Sequence, residues 1–281
     1  MAQKIIVTHI SPDLDGIPAI WLLKKFHPEF ANARVEFVPA GNNTYNNQPV
    51  DSDPDVVHVD DGGGRFDHHH SNEFTCAAKL VYEYLIKEGY IDEKDEALAR
   101  LIQVLVELDH GWDSYNWPEP ASDRWEFALH NILSGVKMNY RGDFYKAIDW
   151  TIDALEAVYK LLQSKILAEK EVARGQKFKT RWGKGVGVYT KNDAVMDVGI
   201  KNGYALVVRK DPDQGYVRIT GSNKHKVDFT KAYKEIVKRD NVGQWFLHAS
   251  NVLLRNGSTR NPNMRPTKMT MEEVIEILQG S

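Results

Sequence analysis

The amino-acid sequence predicts an α/β fold. We expect an N-terminal, mostly parallel sheet with helices on both faces, a connecting helix, and a smaller C-terminal α/β domain. Two observations carry this prediction. Between residues 5 and 108, short β-branched runs alternate with segments whose apolar residues recur at helical spacing, which is typical of βαβ units. A long stretch with few helix breakers then precedes a second group of strand-like and helix-like segments.

The first half of the chain contains three predicted strands and three predicted helices. The strands are Ile5–Thr8, Val35–Pro39 and Val56–Val59, and the helices are Ile17–Phe26, Cys76–Ile86 and Leu98–Leu108. Residues 112–142 are rich in tryptophan, asparagine and proline, and we expect them to be irregular. Residues 144–176 carry apolar side chains on a helical period, which predicts the connecting helix.

The second half contains four predicted strands and two predicted helices. The strands are Gly185–Tyr189, Ala194–Ile200, Ala205–Arg209 and Val217–Ile219, and the helices are Asp228–Asp240 and Met271–Leu278. These elements predict a catalytic domain over residues 1–143, the connecting helix over 144–176 and a basic substrate-binding domain over 177–281.

The charge is divided unevenly along the chain. The formal net charge is −3, but residues 1–173 hold 16 Lys and Arg against 29 Asp and Glu, a charge of −13. Residues 174–281 hold 20 against 10, a charge of +10. This division indicates an anionic substrate held between a metal-binding half and a basic half, or simply two domains that attract one another. The single cysteine, Cys76, excludes an intramolecular disulfide and fits a reducing compartment, so we expect a cytoplasmic protein without a signal peptide or membrane span.

Four clusters of histidine and aspartate stand out in the first half. They are His9, Asp13 and Asp15; Asp60; His68 and His69 after Asp67; and Asp109. Such ligands suit a pair of hard or borderline divalent ions. Two of the clusters follow predicted strand ends, where open α/β sheets bind ligands. Each cluster alone has a structural alternative: Asp13 or Asp15 could cap the helix that begins near Gly16.

The order of these clusters resembles that of the DHH phosphoesterase superfamily. The matching motifs are His-x-x-x-Asp-x-Asp, Val-Asp, Asp-His-His, and a later Asp after an apolar helix, and they cover residues 5–113. Two further runs are partly similar to the Myg-type exonucleases, a DHH-related branch. They are Val59–Gly63 with Phe66–His69, and Phe246–Ser250 with Arg255–Arg260. The first motif departs from that branch, because Asp13-Leu14-Asp15 stands where the branch has a histidine.

The resemblance implies a role for each ligand-type residue. His9 and Asp13 would bind one ion, and Asp60 would bridge the two ions. Asp15, His68 and Asp109 would bind the other, with Asp113 as the alternative to Asp109. His69 would face the substrate phosphate as hydrogen-bond donor or general acid, and Asp67 would orient the histidines. The implied ions are two divalent metals, with Mn²⁺ expected and Mg²⁺ or Co²⁺ as alternatives.

The resemblance also implies that the C-terminal domain binds the substrate. The candidates there are His248, Ser250, Arg255 and Arg260. His248 could equally be an ordinary strand histidine, and the arginines could be surface charges. Trp112, Trp117 and Trp125 could stack on nucleobases, although packing within an irregular segment is the simpler interpretation.

We therefore expect a metal-dependent hydrolase that cleaves phosphodiester bonds in short oligonucleotides, dinucleotides or single-stranded nucleic acid. Two alternatives use the same residues: a manganese-dependent pyrophosphatase or phosphomonoesterase, and a nucleotide-binding regulatory protein with a decayed site. The presence of every expected ligand weighs against decay. A purely structural scaffold would leave the ligand spacing unexplained.

Overall fold

A computed structural model describes residues 3–257, 261 and 263–281. The chain forms two compact units, Met1–Leu162 and Gln163–Ser281, which we call unit 1 and unit 2. The division falls inside a 31-residue helix, α6 (Phe144–Arg174), that begins in unit 1 and ends in unit 2. This helix coincides with the predicted connecting helix, whereas the predicted domain functions remain predictions.

Unit 1 is built from five strands and six helices within the described residues. The strands are β1 (Ile5–His9), β2 (Arg34–Val38), β3 (Thr44–Tyr45), β4 (Gln48–Pro49) and β5 (Val56–His58). The helices are α1 (Gly16–Phe26), α2 (Ala77–Lys87), α3 (Glu96–Asp109), α4 (Trp112–Asn116), α5 (Leu129–Tyr140) and the first part of α6.

The central sheet of unit 1 has the order β2-β1-β5, and both strand pairs are parallel. Ile6 of β1 pairs with Val35 on one side and Val57 on the other, and all three are buried. β-branched side chains suit such a covered parallel sheet. The parallel direction places the carboxyl ends of β1 and β5, and hence the segments after them, at the same edge.

Helices α1, α2 and α3 supply the apolar cover of unit 1. Residues Gly16–Leu23 of α1 are all buried. Helix α3 buries one apolar stripe that includes Leu98, Leu101 and Leu105, and Asp95 caps it by accepting a hydrogen bond from the Leu98 N–H at 3.0 Å. An amphipathic helix of this kind is held chiefly by packing of its apolar stripe.

Unit 2 is built around a six-stranded mixed sheet. Its strands are β6 (Gln176–Thr180), β7 (Gly183–Tyr189), β8 (Leu206–Lys210), β9 (Val217–Gly221), β10 (Phe246–Leu247) and β11 (Leu253–Asn256), in the order β10-β11-β9-β8-β7-β6. Only β7 and β8 pair in parallel. The helices are α7 (Ala194–Lys201), α8 (Thr230–Arg239) and α9 (Met271–Gly280).

The structure corrects two of the predictions of secondary structure. Residues 194–200, predicted as a strand, form helix α7. The Asn192 side chain accepts a hydrogen bond from the Ala194 N–H at 3.0 Å, and Val195, Val198 and Gly199 bury one helical face. The β-branched residues that favoured a strand therefore serve as one apolar helix face.

The second correction concerns residues 112–142, predicted as irregular. They contain helices α4 and α5 and a 3₁₀ turn, Asp123–Phe127. The sequence prediction also missed strands β6, β10 and β11, each five residues long or shorter. No helix in the described part of the chain combines the length and the apolar character that a membrane span requires.

Candidate metal centre

The first ligand cluster occupies the tight loop between β1 and α1. His9 is the last residue of β1, and Ser11 turns the chain with a left-handed φ of 61°. The Asp13 carboxylate accepts hydrogen bonds from the N–H groups of Asp15, at 3.0 Å, and Gly16, at 3.4 Å. Asp13 therefore performs the local helix-start role that was the structural alternative for this motif.

Asp15 is held by a different helix. Its two carboxylate oxygens accept hydrogen bonds from the N–H groups of Ala77, at 2.8 Å, and Ala78, at 2.9 Å, in the first turn of α2. A carboxylate is favoured at a helix N-terminus, where unpaired N–H groups and the helix dipole attract negative charge. This contact fixes a buried carboxylate next to the segment that carries the histidine run.

Asp60 lies two residues beyond the end of β5 and is only 3% exposed. Its backbone adopts a left-handed φ of 58°, which is uncommon for a residue other than glycine. Its Oδ2 lies 3.3 Å from Nε2 of His9, and its Oδ1 lies 3.8 Å from Nε2 of His68. Asp60 thus presents one oxygen to each of the two histidines.

Gly16 is required beside Asp60 by close packing. A Cβ atom at Gly16 would lie 3.0 Å from Oγ1 of Thr8 and 3.1 Å from Oδ2 of Asp60. Both neighbours are buried, so neither can move away freely. The absence of a side chain at Gly16 allows the Asp60 carboxylate to lie over the start of α1.

His68 contacts three carboxylates. Its Nε2 lies 3.3 Å from Asp15, 3.7 Å from Asp109 and 3.8 Å from Asp60, measured to the nearest carboxylate oxygen. This nitrogen is buried and has no aligned hydrogen-bond partner among the described residues. A buried imidazole nitrogen that lies beside carboxylates without an aligned hydrogen bond is typical of a metal ligand.

His69 differs from His68 in both exposure and contacts. Its side chain is 63% exposed, and its Nδ1 lies 2.7 Å from Oδ1 of Asp67. Asp67 also accepts hydrogen bonds from the His69 N–H at 3.0 Å and from the Gly63 N–H at 2.7 Å. These hydrogen bonds hold the pKa of Asp67 below its usual value although burial opposes them. Since the ionised carboxylate can only accept, the His69 Nδ1 must carry the proton.

The structure separates Asp109 from Asp113. Asp109 ends α3 and lies within 3.7 Å of His68, whereas Asp113 pairs with Nε2 of His130 at 3.1 Å. The geometry therefore groups Asp109, not Asp113, with the other ligand-type residues.

Burial and crowding shift the ionisation of the cluster. The hydrogen bond to Asp60 raises the pKa of His9 to about 9, and the adjacent Asp15 carboxylate raises the pKa of His68 to about 9. Burial raises the pKa of Asp60 to about 7 and that of Asp109 to about 6, with neighbouring carboxylates adding to both shifts. For Asp15, burial is outweighed by its hydrogen-bond donors, so its pKa is lowered. The cluster thus concentrates more negative charge than its histidines neutralise, which favours a bound cation.

Among the described residues, three groups of side chains could each hold a metal ion. They are His9, Asp13 and Asp60; Asp15, His68 and Asp109; and Asp60, His68 and His69. Within each group the ligand atoms all lie within 4.8 Å of one another. Imidazole nitrogens and carboxylate oxygens are ligands that Mn²⁺ and similar ions accept. The donor set and its spacing therefore fit divalent metal ions.

The C-terminal candidate residues lie in unit 2 on and around a short β-hairpin. Nδ1 of His248 lies 2.8 Å from Oγ of Ser250 and accepts a hydrogen bond from the Ser250 N–H at 3.1 Å. Both side chains are exposed. Arg255 lies on β11, opposite Phe246 on one neighbouring strand and Arg218 on the other. Arg260 lies outside the described residues.

We call the members of the three groups that could hold a metal ion the metal-type cluster: His9, Asp13, Asp15, Asp60, His68, His69 and Asp109. Two residues near this cluster are not among those predicted from the sequence. Lys137 of α5 donates a hydrogen bond to the Ser11 carbonyl at 3.0 Å, and Asp13 is close enough to influence its pKa. His110 places its Nδ1 3.6 Å from Oδ2 of Asp109. Lys137 lies 126 residues after Ser11, so no local sequence pattern predicts that it contacts this loop. His110 directly follows Asp109 and could have been found by its position.

The chain is similar in structure to solved proteins, one of which carries a DHH domain. No protein-family model and no curated protein sequence matches the chain. A solved structure described as a "member of s1p family of ribosomal proteins" with a DHH domain is 13% identical. The match covers 98% of this chain and 85% of that chain, with a TM-score of 0.34. The chain resembles the DHH superfamily in the order of its motifs, and the structure brings the side chains of those motifs together.

Proposed function

We propose that the protein is a divalent-metal-dependent phosphoesterase that hydrolyses phosphodiester bonds in short oligonucleotides, dinucleotides or single-stranded nucleic acid. The observation that carries this proposal is the convergence of ligand-type side chains from four separate segments of unit 1. Asp60 is at its centre, with one oxygen toward His9 and the other toward His68. Chance surface clusters of acidic residues would not bury such a carboxylate between two histidines.

The proposed metal ligands combine two of the three groups of side chains. His9, Asp13 and Asp60 would hold one ion, and Asp15, His68 and Asp109 would hold the second. Asp60 would also contribute to the second ion, because its Oδ1 lies 3.8 Å from Nε2 of His68. Mn²⁺ is the expected ion, because the set mixes imidazole with carboxylate. Two such ions, when bound, would activate water and neutralise the charge of a phosphoryl group.

The exposed His69 is proposed as the residue that faces the substrate phosphate. Asp67 holds its Nδ1–H at 2.7 Å and so fixes the direction of the ring. Nε2 then remains for a phosphate or leaving-group oxygen, to which it would donate a hydrogen bond or a proton. Asp67 therefore acts by positioning His69 and does not touch the substrate.

Unit 2 is proposed to bind the phosphates of the substrate. The charge of +10 in residues 174–281 suits an anion. His248, Ser250, Arg255 and Arg260 are the candidates for these contacts, on the strength of the sequence resemblance. A cytoplasmic location is proposed from the single cysteine, Cys76, which is buried and free.

A substrate panel tests the proposal directly. The purified full chain with Mn²⁺ would be assayed on a dinucleotide, short RNA and DNA strands, a cyclic dinucleotide and pyrophosphate. We expect hydrolysis of the nucleic acid substrates that chelation abolishes. Turnover of pyrophosphate alone would replace the proposal by the pyrophosphatase alternative. Binding of nucleotides without any turnover would favour a regulatory protein.

A further inference from the structure

Exposed apolar side chains follow three of the four ligand clusters. Ile10 comes directly after His9, Phe74 comes five residues after His69, and Trp112 comes three residues after Asp109. Phe74 and Trp112 are each 46% exposed. We call the rings of Phe74, His110 and Trp112 the aromatic rim.

The members of the aromatic rim contact one another. The Phe74 and His110 ring centres are 4.3 Å apart at an interplanar angle of 47°, and those of Phe74 and Trp112 are 6.2 Å apart at 62°. Gly111 lies two residues after the end of α3 and directly before α4, and its left-handed φ of 64° allows the chain to turn between His110 and Trp112. The rings come from two segments that are far apart in the sequence, so the rim is a tertiary feature.

His110 joins the aromatic rim to the metal-type cluster. Its Nδ1 lies 2.9 Å from the Val106 carbonyl and 3.6 Å from Oδ2 of Asp109. The His110 ring, which packs against Phe74 at a tilt, therefore also lies close to a carboxylate of the cluster. A ligand on the rim would lie within a few ångströms of a ligand at the cluster.

Phe74 and Trp112 stay about half exposed although their rings contact one another. The nearby Trp117 and Trp125 behave differently, because their rings pack together at 4.4 Å and the Trp125 Nε1–H donates to backbone carbonyls. A ligand that covers apolar surface exposed to water lowers the free energy of the system, which favours binding. The ligand that fits is flat and apolar at one end and anionic at the other, because the neighbouring cluster is proposed to hold divalent cations.

We propose that the aromatic rim is a stacking site for a nucleobase whose phosphoester lies at the metal-type cluster. Aromatic side chains bind bases of any sequence through their π-faces. The inference rests on the proposed function and deepens it, since a base-binding rim selects nucleotidic esters over pyrophosphate. Of the three tryptophans considered from the sequence, it assigns Trp112 to the ligand and leaves Trp117 and Trp125 to packing.

The kinetic test compares two substrates in the full chain with Mn²⁺. One is a dinucleotide, and the other has the same backbone with one base removed. We expect the wild-type KM to be lower for the intact dinucleotide. Phe74→Ala and Trp112→Ala should each raise the KM for the dinucleotide by about 10- to 100-fold, so that the preference for the base disappears. Trp112→Phe keeps an aromatic ring and should retain most of the preference for the intact dinucleotide.

The matched control is Phe127→Ala, which removes an exposed phenylalanine outside the rim. It should keep the wild-type preference for the intact dinucleotide. An equal KM for the two substrates in the wild type, or an unchanged preference in Phe74→Ala and Trp112→Ala, would overturn the inference. Unchanged melting temperatures would show that the variants fold, as expected for exposed positions.

A binding measurement separates this inference from the proposed activity. Calorimetry would compare thymidine monophosphate with ribose 5-phosphate, using the wild type and Trp112→Ala. Tighter binding of the nucleotide by the wild type alone supports the rim, whether or not any ester is hydrolysed. Equal affinities in the wild type would refute the rim. Base-dependent binding without hydrolysis of any phosphoester would refute the proposed activity and support the rim.

Discussion

Asp60→Asn is the substitution that should separate this metal centre most clearly from a structural cluster of charges. The side chain keeps its size and loses its negative charge. Oδ2 faces His9 at 3.3 Å and Oδ1 faces His68 at 3.8 Å, and Asp60 belongs to two of the three groups that could hold a metal ion. Asparagine replaces one of these oxygens by an NH2 group, which cannot bind a cation, and leaves the other without its negative charge. We therefore expect both ions to bind more weakly.

The magnitude can be bounded from general values. Loss of an outer-shell partner alone costs about 10- to 100-fold in metal affinity, so loss of a direct ligand should cost at least about 100-fold. A factor of 100 is about 2.7 kcal/mol. For a unit of this size, that should remove about 5–10 °C of the rise in melting temperature that Mn²⁺ produces.

The assay is calorimetric titration of Mn²⁺ together with thermal melts with and without the ion. Asp61→Asn is the matched control, because Asp61 is adjacent and equally buried but belongs to none of the three groups. Its Oδ1 accepts the Gly41 N–H at 2.6 Å, and asparagine can keep that bond. If the Asp60→Asn variant bound two ions with wild-type affinity, Asp60 would not be a ligand shared by both ions.

Three further predictions address other parts of the site. His69→Ala should still bind both ions and should lower kcat by about 10²- to 10⁴-fold. His68→Ala should bind only one ion in the same calorimetric titration. The reverse pattern would mean that the two histidines have exchanged roles. Gly16→Ala should weaken Mn²⁺ binding and lower the free energy of unfolding by about 1–3 kcal/mol, since its Cβ would press on Asp60 and Thr8; wild-type affinity and stability would show that the packing tolerates it. The metal-free chain should melt at lower temperature as the pH rises from 6 to 9. The pKa values of His9 and Asp60 in the folded chain, about 9 and about 7, lie above those of the unfolded chain, so folding binds protons that alkali removes. Melting temperatures that rise over this range would contradict these shifts.

The sequence predicted much of the site because its ligands are encoded locally. His9 and Asp60 follow strands whose β-branched residues are plain in the sequence, and parallel strands bring those ends to one edge. The sequence alone does not decide whether Asp109 or Asp113 is the fourth-motif ligand. The choice depends on where α3 ends and on His130, which pairs with Asp113 from a helix that was predicted as irregular chain.

Other features depended on packing between segments that are distant in the sequence. Lys137 reaches Ser11 across 126 residues, and Phe74 meets His110 only after α2 and α3 have packed. The sequence predicts a strand at α7 because a short apolar run suits either structure, whereas in the fold Val195, Val198 and Gly199 bury one helical face. Short runs of this type are ambiguous until tertiary contacts select one conformation.

A crystal structure of the full chain with Mn²⁺, with anomalous scattering used to locate the ions, would test the two-metal centre without recourse to any substrate. We expect two anomalous peaks in unit 1, one bound by His9 and Asp13 and the other by Asp15, His68 and Asp109, with Asp60 bound to both. Absence of peaks at these side chains under saturating Mn²⁺, or a single ion that leaves Asp60 unbound, would contradict the two-metal centre.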